Sequence, residues 1–138
     1  MSWHVIEVPV QYVHQTWPKV EKFLLDSVKY SHGDLTIEET KLHVTNGNWS
    51  LLIAVDAENN VKGASTVSYY NRTSDRVAYV TNIGGRLLAD KETFAKFCDI
   101  LKANGATCIE GAVRDSLVRL WARLGAQKKS TTVYIPLS

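Results

Sequence analysis

Cysteine is scarce in this sequence, with Cys98 and Cys108 the only two among 138 residues. Their spacing fits neither a CxxC redox pair nor a metal site with nearby histidines. Reduced, buried thiols are expected. The four histidines, His4, His14, His32 and His43, are scattered without ligand spacing, so no metal centre is expected. Long apolar runs are missing too. Nothing approaches the ~20 residues of a membrane helix, and the opening MSWHVIEVPV lacks the charged and apolar stretches of a signal peptide. A soluble, cytoplasmic chain is expected, on which the glycosylation patterns at Asn48 and Asn71 carry no meaning. Charge of one sign is also missing. The 16 basic and 14 acidic residues leave +2, which argues for neither nucleic acid nor membrane as a partner. Internal repeats, linkers and low-complexity tracts are absent.

What remains is the make-up of one globular domain over residues 1–138, with 45% hydrophobic and 22% charged residues in a length one core can serve. Residues 3–10 alternate and are β-branched, so they predict a first strand ended near Pro9. Thr16 is read as the cap of a helix with Pro18 in its first turn and Val20, Phe23, Leu24 and Val28 as its buried face. Thr36 and Glu39 form a capping box for a second helix, stopped by Asn46-Gly47-Asn48. Strands are predicted at 49–56, 61–70 and 77–83, joined by polar turns into an antiparallel meander. Phe94, Phe97, Cys98 and Leu101 then mark a helix closed by Asn104-Gly105. A strand at 107–113 follows. Asp115 or Ser116 caps a helix with Leu117, Leu120, Trp121 and Leu124 on one face, ended by Gly125, and a last strand is predicted at 131–137. Strand, helix, strand, helix, strand in the second half favours parallel pairing through right-handed crossovers.

The stretch NIGGRLLADKETF poses the functional question. Its glycine pair, Gly84 and Gly85, is read either as part of a phosphate cradle at a helix start or as the tight exit of a central strand. The element order β-α-α-β-β-β-α-β-α-β, with Arg86 after the fourth strand and Gly125 closing the last helix, resembles the GNAT superfamily of acyl-CoA-dependent N-acyltransferases. The fold implied is α/β (α+β) with a GNAT-like mixed sheet. In that family a Gln/Arg-x-x-Gly-x-Gly/Ala turn offers backbone N–H groups to the pyrophosphate of coenzyme A at a helix N-terminus. Arg86-Leu87-Leu88-Ala89-Asp90-Lys91 matches at the arginine, while alanine and lysine stand at the small-residue positions.

The resemblance implies acetyl-CoA or coenzyme A as the bound group. Thr81, Asn82 and Ile83 would hold its pantetheine arm, and Gly84 and Gly85 would let the fourth strand bulge or splay. Arg86, Leu87, Leu88, Ala89 and Lys91 would hold its phosphates. Residues 114–126 resemble the family's Asn…Tyr-x-x-x-Gly-Phe segment, with Arg114 in place of asparagine and Trp121 in place of the tyrosine that often acts as general acid. An indole N–H is not a usable acid, and Trp121 on an apolar stripe also reads as a core residue. Small proteins with such worn motifs are familiar from tailed bacteriophages, some packaged in the virion, so a non-catalytic binding or virion role is the alternative to acyl transfer.

Acyl transfer to an amine needs a base, a polarised carbonyl and a stabilised thiolate. Glu110, a carboxylate in a strand that otherwise reads as buried, is the candidate base, with an ion pair to Arg114 or Arg86 as the bland alternative. Asp115 reads as a cap. Tyr134 is the candidate phenol, with Tyr79 a second. By the resemblance, Tyr30, His32, Tyr69 and Tyr70 line the acceptor site, gated by the link at 31–34, and the acceptor is an unidentified amine.

Overall fold

The computed structural model describes residues 3–29, 35–87, 91–113 and 115–137. The chain runs β1 (His4–Val8), α1 (Val10–Val28), α2 (Ile37–Thr45), β2 (Ser50–Val55), β3 (Val61–Asn71), β4 (Arg76–Gly85), α3 (Lys91–Ala103), β5 (Cys108–Gly111) and α4 (Asp115–Ala122). The five strands form one sheet in the order of the chain. The first four are antiparallel, and β5 joins β4 in parallel across the α3 crossover, as the expected meander and crossover require.

Helices cover both faces, and β2 shows it in sequence. Leu51, Leu52, Ile53, Ala54 and Val55 are all buried, a continuous apolar run of the kind a strand carries when both sides are covered. Leu51, Ile53 and Val55 pack with Val13, Trp17, Val20 and Leu24 of α1 and Val44 of α2. Leu52 and Ala54 face the opposite core, with Phe97 and Leu101 of α3 and Trp121 of α4. The two cores follow from the period-2 alternation of the strands.

Helix α1 starts six residues before the expected cap. Pro9, extended at ψ 144, is its N-cap, and its carbonyl accepts from the Tyr12 amide at 2.8 Å. Thr16 lies inside the helix, its hydroxyl donating back to the Tyr12 carbonyl at 2.8 Å. Pro18 therefore sits mid-helix and leaves the carbonyl four residues earlier without an amide. Burial of Val13, Trp17, Val20 and Leu24, one stripe at helical spacing, outweighs that loss. The cap of α2 is where the capping box put it, with the Thr36 hydroxyl accepting from the Glu39 amide at 3.1 Å.

The C-terminal strand does not form. Residues 131–137 pair with none of the described strands, and Val133, Tyr134, Ile135 and Leu137 are 77% to 94% exposed. Strand propensity is a preference for packing on a pleated neighbour, and alternation without a ladder partner makes no strand. Cys98 and Cys108 are free and only partly buried, not enclosed as expected. No helix among the described residues is long and apolar enough to cross a membrane.

Candidate active site

β4 and β5 run side by side from Val77 and Cys108 as far as Val80 and Gly111. There they separate. On its other side β4 pairs with β3, and the register steps from Val80 opposite Val67 to Asn82 opposite Thr66. Thr81 is thus an extra residue, a β-bulge that bends the strand and breaks the ladder. The bulge falls at Thr81, not at the glycine pair, because Gly84 and Gly85 stay in register with Ala64 and Gly63.

The divergence leaves a wedge lined by residues 80–83 of β4, 111–113 after β5, Ser27 of α1 and Trp121 of α4, enclosing about 40 Å³. The Ile83 amide on this free edge donates to the Ser27 hydroxyl at a long 3.3 Å. Thr81 turns its hydroxyl to the Thr66 carbonyl, 2.9 Å away. Its oxygen lies 2.6 Å from the Thr66 hydroxyl, which therefore donates to it. The Asn82 amide nitrogen donates to the Thr66 hydroxyl at 2.9 Å and to that of Thr40 at 3.4 Å. The Thr40 hydroxyl spends its own proton on the Thr36 carbonyl, so nitrogen, not oxygen, faces it. That orientation leaves Asn82 Oδ1 buried with no partner among the described residues, and Trp121 Nε1 is in the same position.

The glycine pair is explained by packing. A Cβ on Gly84 would lie 2.1 Å from the Phe23 carbonyl oxygen, so α1 rests directly on this strand. Gly85, at φ +74, would put a Cβ 2.5 Å from the Lys62 carbonyl oxygen. The Arg86 amide donates to that carbonyl at 2.9 Å, and one N–H of the turn is therefore already used. Leu87 is fully buried, packed in the α3 core, while the Arg86 side chain is exposed. Leu88, Ala89, Asp90 and Arg114 lie outside the described residues, as do Tyr30, His32 and the 31–34 link. Lys91 opens α3 and lines a wider groove of about 480 Å³ between α3 and α4, together with Lys102 and Arg123.

Glu110 and Tyr70 meet. The Tyr70 hydroxyl donates to Glu110 Oε1 at 3.2 Å, and Glu110 Oε2 is 2.6 Å from both Arg72 Nη2 and Lys129 Nζ. The ion pair is therefore with Arg72 and Lys129, neither of which stands out in the sequence. The hydrogen bonds from Lys129 and Arg72 hold the Glu110 carboxyl down at about 2, which keeps it ionised and makes it a feeble proton acceptor near neutrality. Tyr69 cannot join this group, because neighbours on a strand point to opposite faces. It packs in the α3 core, accepts from the Asn104 amide at 3.0 Å, and has its phenol pushed up by burial. Tyr134, 84% exposed, is not among the residues lining the wedge.

Reasoning from sequence missed Ser27, Arg72, Lys102, Arg123 and Lys129. A serine in a helix, and cations on a helix, at a turn or in the C-terminal segment, carry no local signal of what they will face. The alternation of Tyr69 and Tyr70 was legible and would have separated them.

No protein-family model matches the chain, and no curated protein matches it. Solved structures do. An aminoglycoside acetyltransferase from an uncultured soil metagenomic sample, in complex with sisomicin, is 11% identical, with 99% of this chain and 97% of that chain covered and a TM-score of 0.68. Glucosamine-6-phosphate N-acetyltransferase from Arabidopsis thaliana is 9% identical over 100% of both chains, with a TM-score of 0.62. A single-substitution mutant of the BH1408 protein of Bacillus halodurans is 17% identical over 97% of this chain and 99% of that chain, also at 0.62. With a five-stranded mixed sheet and four helices among the described residues, and the parting of β4 from β5, the chain has the GNAT fold.

Proposed function

We propose that this protein binds an acyl-CoA in the wedge between β4 and β5 and transfers its acyl group to an amine. The observation that carries the reading is the bulge at Thr81, past which the β4 edge has no β5 partner. A thin amide-bearing chain could complete that edge by β-augmentation. Thr81, Asn82 and Ile83 would hold the arm and Trp121 would wall it. The enclosed space is too small for the arm as it stands, and the wedge must open along residues 111–113. Lys91, Lys102 and Arg123 place three cations and one carboxylate, Asp99, around the wider groove, an electrostatic setting suited to phosphates. By the resemblance, Arg86, Leu88, Ala89 and Arg114 belong to the same phosphate-binding region.

The acceptor amine would approach from the α1 and α2 face, where Tyr70 and Glu110 stand. Glu110, ionised throughout, would act there as a fixed negative charge toward an ammonium rather than as a strong base. Tyr30 and His32 would border the same approach. The structural neighbours named for aminoglycoside and hexosamine phosphate acetylation suggest those two amines as first acceptors to try.

Calorimetry with acetyl-CoA tests the reading, with binding expected in the micromolar range, about −8 kcal/mol. Absence of both heat and a thermal shift at millimolar concentration refutes it. Binding without transfer to any amine tried leaves the non-catalytic alternative. Where transfer is seen, Glu110→Gln should lower turnover and leave acetyl-CoA affinity unchanged.

A further inference from the structure

Glu110 is met by more positive charge than it neutralises. Its Oε2 lies 2.6 Å from both Arg72 Nη2 and Lys129 Nζ, so two cations converge on a single carboxylate and leave one positive charge over. The other carboxylate of that turn is engaged elsewhere, Asp75 Oδ1 accepting from the Thr107 hydroxyl at 2.9 Å. Exposed ion pairs add little to stability, and one cation would have sufficed. Arg72 is also held in place. Its Nη2 donates to the Tyr70 hydroxyl at 3.1 Å, and its guanidinium lies over the Tyr70 ring, 5.6 Å from the centroid. Among the described residues its side-chain bonds use only Nη2, which leaves the rest of the guanidinium fork to receive an acid group.

The cluster stands beside the wedge. Glu110 is paired with Tyr79, one residue before Val80 and Gly111, where β4 and β5 part. Tyr70, which donates to Glu110 Oε1, is paired with Val77, three residues before that point. At the rise of a strand the cluster therefore extends roughly 3–10 Å from the wedge, with the Glu110 backbone at the near end and the turn that bears Arg72 at the far end. An amine at the wedge meets the carboxylate first and the cations beyond it.

We propose that Arg72 and Lys129 bind an acid group on the acceptor itself, so that the substrate is a primary amine bearing a phosphate or carboxylate several ångström from its nitrogen. The inference rests on the acyl-transfer reading and narrows it. Such a molecule sets its ammonium toward Glu110 and its anion on Arg72 and Lys129, with charge-assisted bonds at both ends. An aminoglycoside is a polycation, and the surplus positive charge disfavours it. An α-amino acid is too short to reach both ends.

Matched acceptors that differ by the acid group test this. With acetyl-CoA, kcat/KM for glucosamine-6-phosphate should exceed that for glucosamine by at least about 10-fold, the scale of a hydrogen bond to a charged group. The pair of ε-aminocaproic acid and pentylamine reads the same preference for a carboxylate, and preference in one pair alone identifies which acid group is recognised. Equal rates within both pairs, or an aminoglycoside used better than glucosamine-6-phosphate, overturn the proposal. Replacing both cations, Arg72→Gln with Lys129→Gln, should bring the ratio near 1, and an unchanged ratio overturns their assignment. Binding separates this outcome from failure of the acyl-transfer reading. Titration of the wild-type protein with glucosamine-6-phosphate and with glucosamine, followed by NMR at the Arg72 side chain, needs neither acyl-CoA nor turnover. Should acetyl-CoA fail to bind, acyl transfer falls and this titration decides alone: a response to the phosphate and none to glucosamine supports the site, and equal responses overturn it.

Discussion

Gly84→Ala separates a glycine kept for packing from one kept for a ligand. The added methyl group would lie 2.1 Å from the Phe23 carbonyl oxygen and 2.9 Å from its carbon. Both are backbone atoms of a helix, so no rotamer change relieves them. Ordinary contact begins near 3.4 Å, and α1 must therefore move away by more than about 1 Å, or β4 must sink by as much, against a core with no spare room. Overpacking of this severity costs about 3 kcal/mol. For a domain of this length that loss lowers Tm by roughly 10 °C. The same shift pulls Ser27 from the Ile83 amide, a bond already 3.3 Å long. Gly125→Ala is the control, because that residue has φ +97 and nothing within 4 Å of its would-be Cβ. It should lose only about 1 kcal/mol to left-handed backbone strain. Thermal unfolding of both variants by circular dichroism decides the matter. Gly84→Ala melting at the wild-type temperature, with lost affinity for coenzyme A, would mean that the glycine serves a ligand and that the packing argument is wrong.

Ser27→Ala should lower stability by about 1 kcal/mol yet tighten coenzyme A binding, because the Ile83 N–H is then free toward the wedge; weaker binding by calorimetry contradicts this. Thr36→Ala should cost about 1 kcal/mol through the lost cap of α2, read by urea denaturation, and no change in midpoint would discount the cap. The Glu110 carboxyl, followed by NMR in an acid titration, should have its midpoint at about 2, against 4.5 for the free group. Because the folded value is depressed, its stabilising contribution is complete above the unfolded value and disappears as pH falls through the folded one. A midpoint at the unperturbed value would show that Arg72 and Lys129 do not hold it in solution. Limited proteolysis should cut first within residues 126–137, which lack a backbone ladder, and preferential cleavage in β2 or β3 would contradict the sheet described.

Local chemistry determined what short stretches of chain decide for themselves. Thr36 and Glu39 marked the start of α2 because a cap is closed within a single turn of chain. Asn104-Gly105 marked the end of α3, where Gly105 adopts φ +92, for the same reason. The meander and the parallel β5 were legible from the polar turns and the crossover helix. Tertiary packing decided the rest. Burial of Val13 and Trp17 carried α1 back to Pro9 and through Pro18. The helix resting on Gly84 gave the glycine pair a packing role, and the bulge fell at Thr81. Glu110 found its cations at Arg72 and Lys129 across the fold, and residues 131–137, with every local mark of a strand, found no partner among the described strands. Capping and turn formation act over a few residues and are written in sequence order. Close approach, ion pairing and ladder formation depend on which distant atoms arrive, and only the folded chain brings them together.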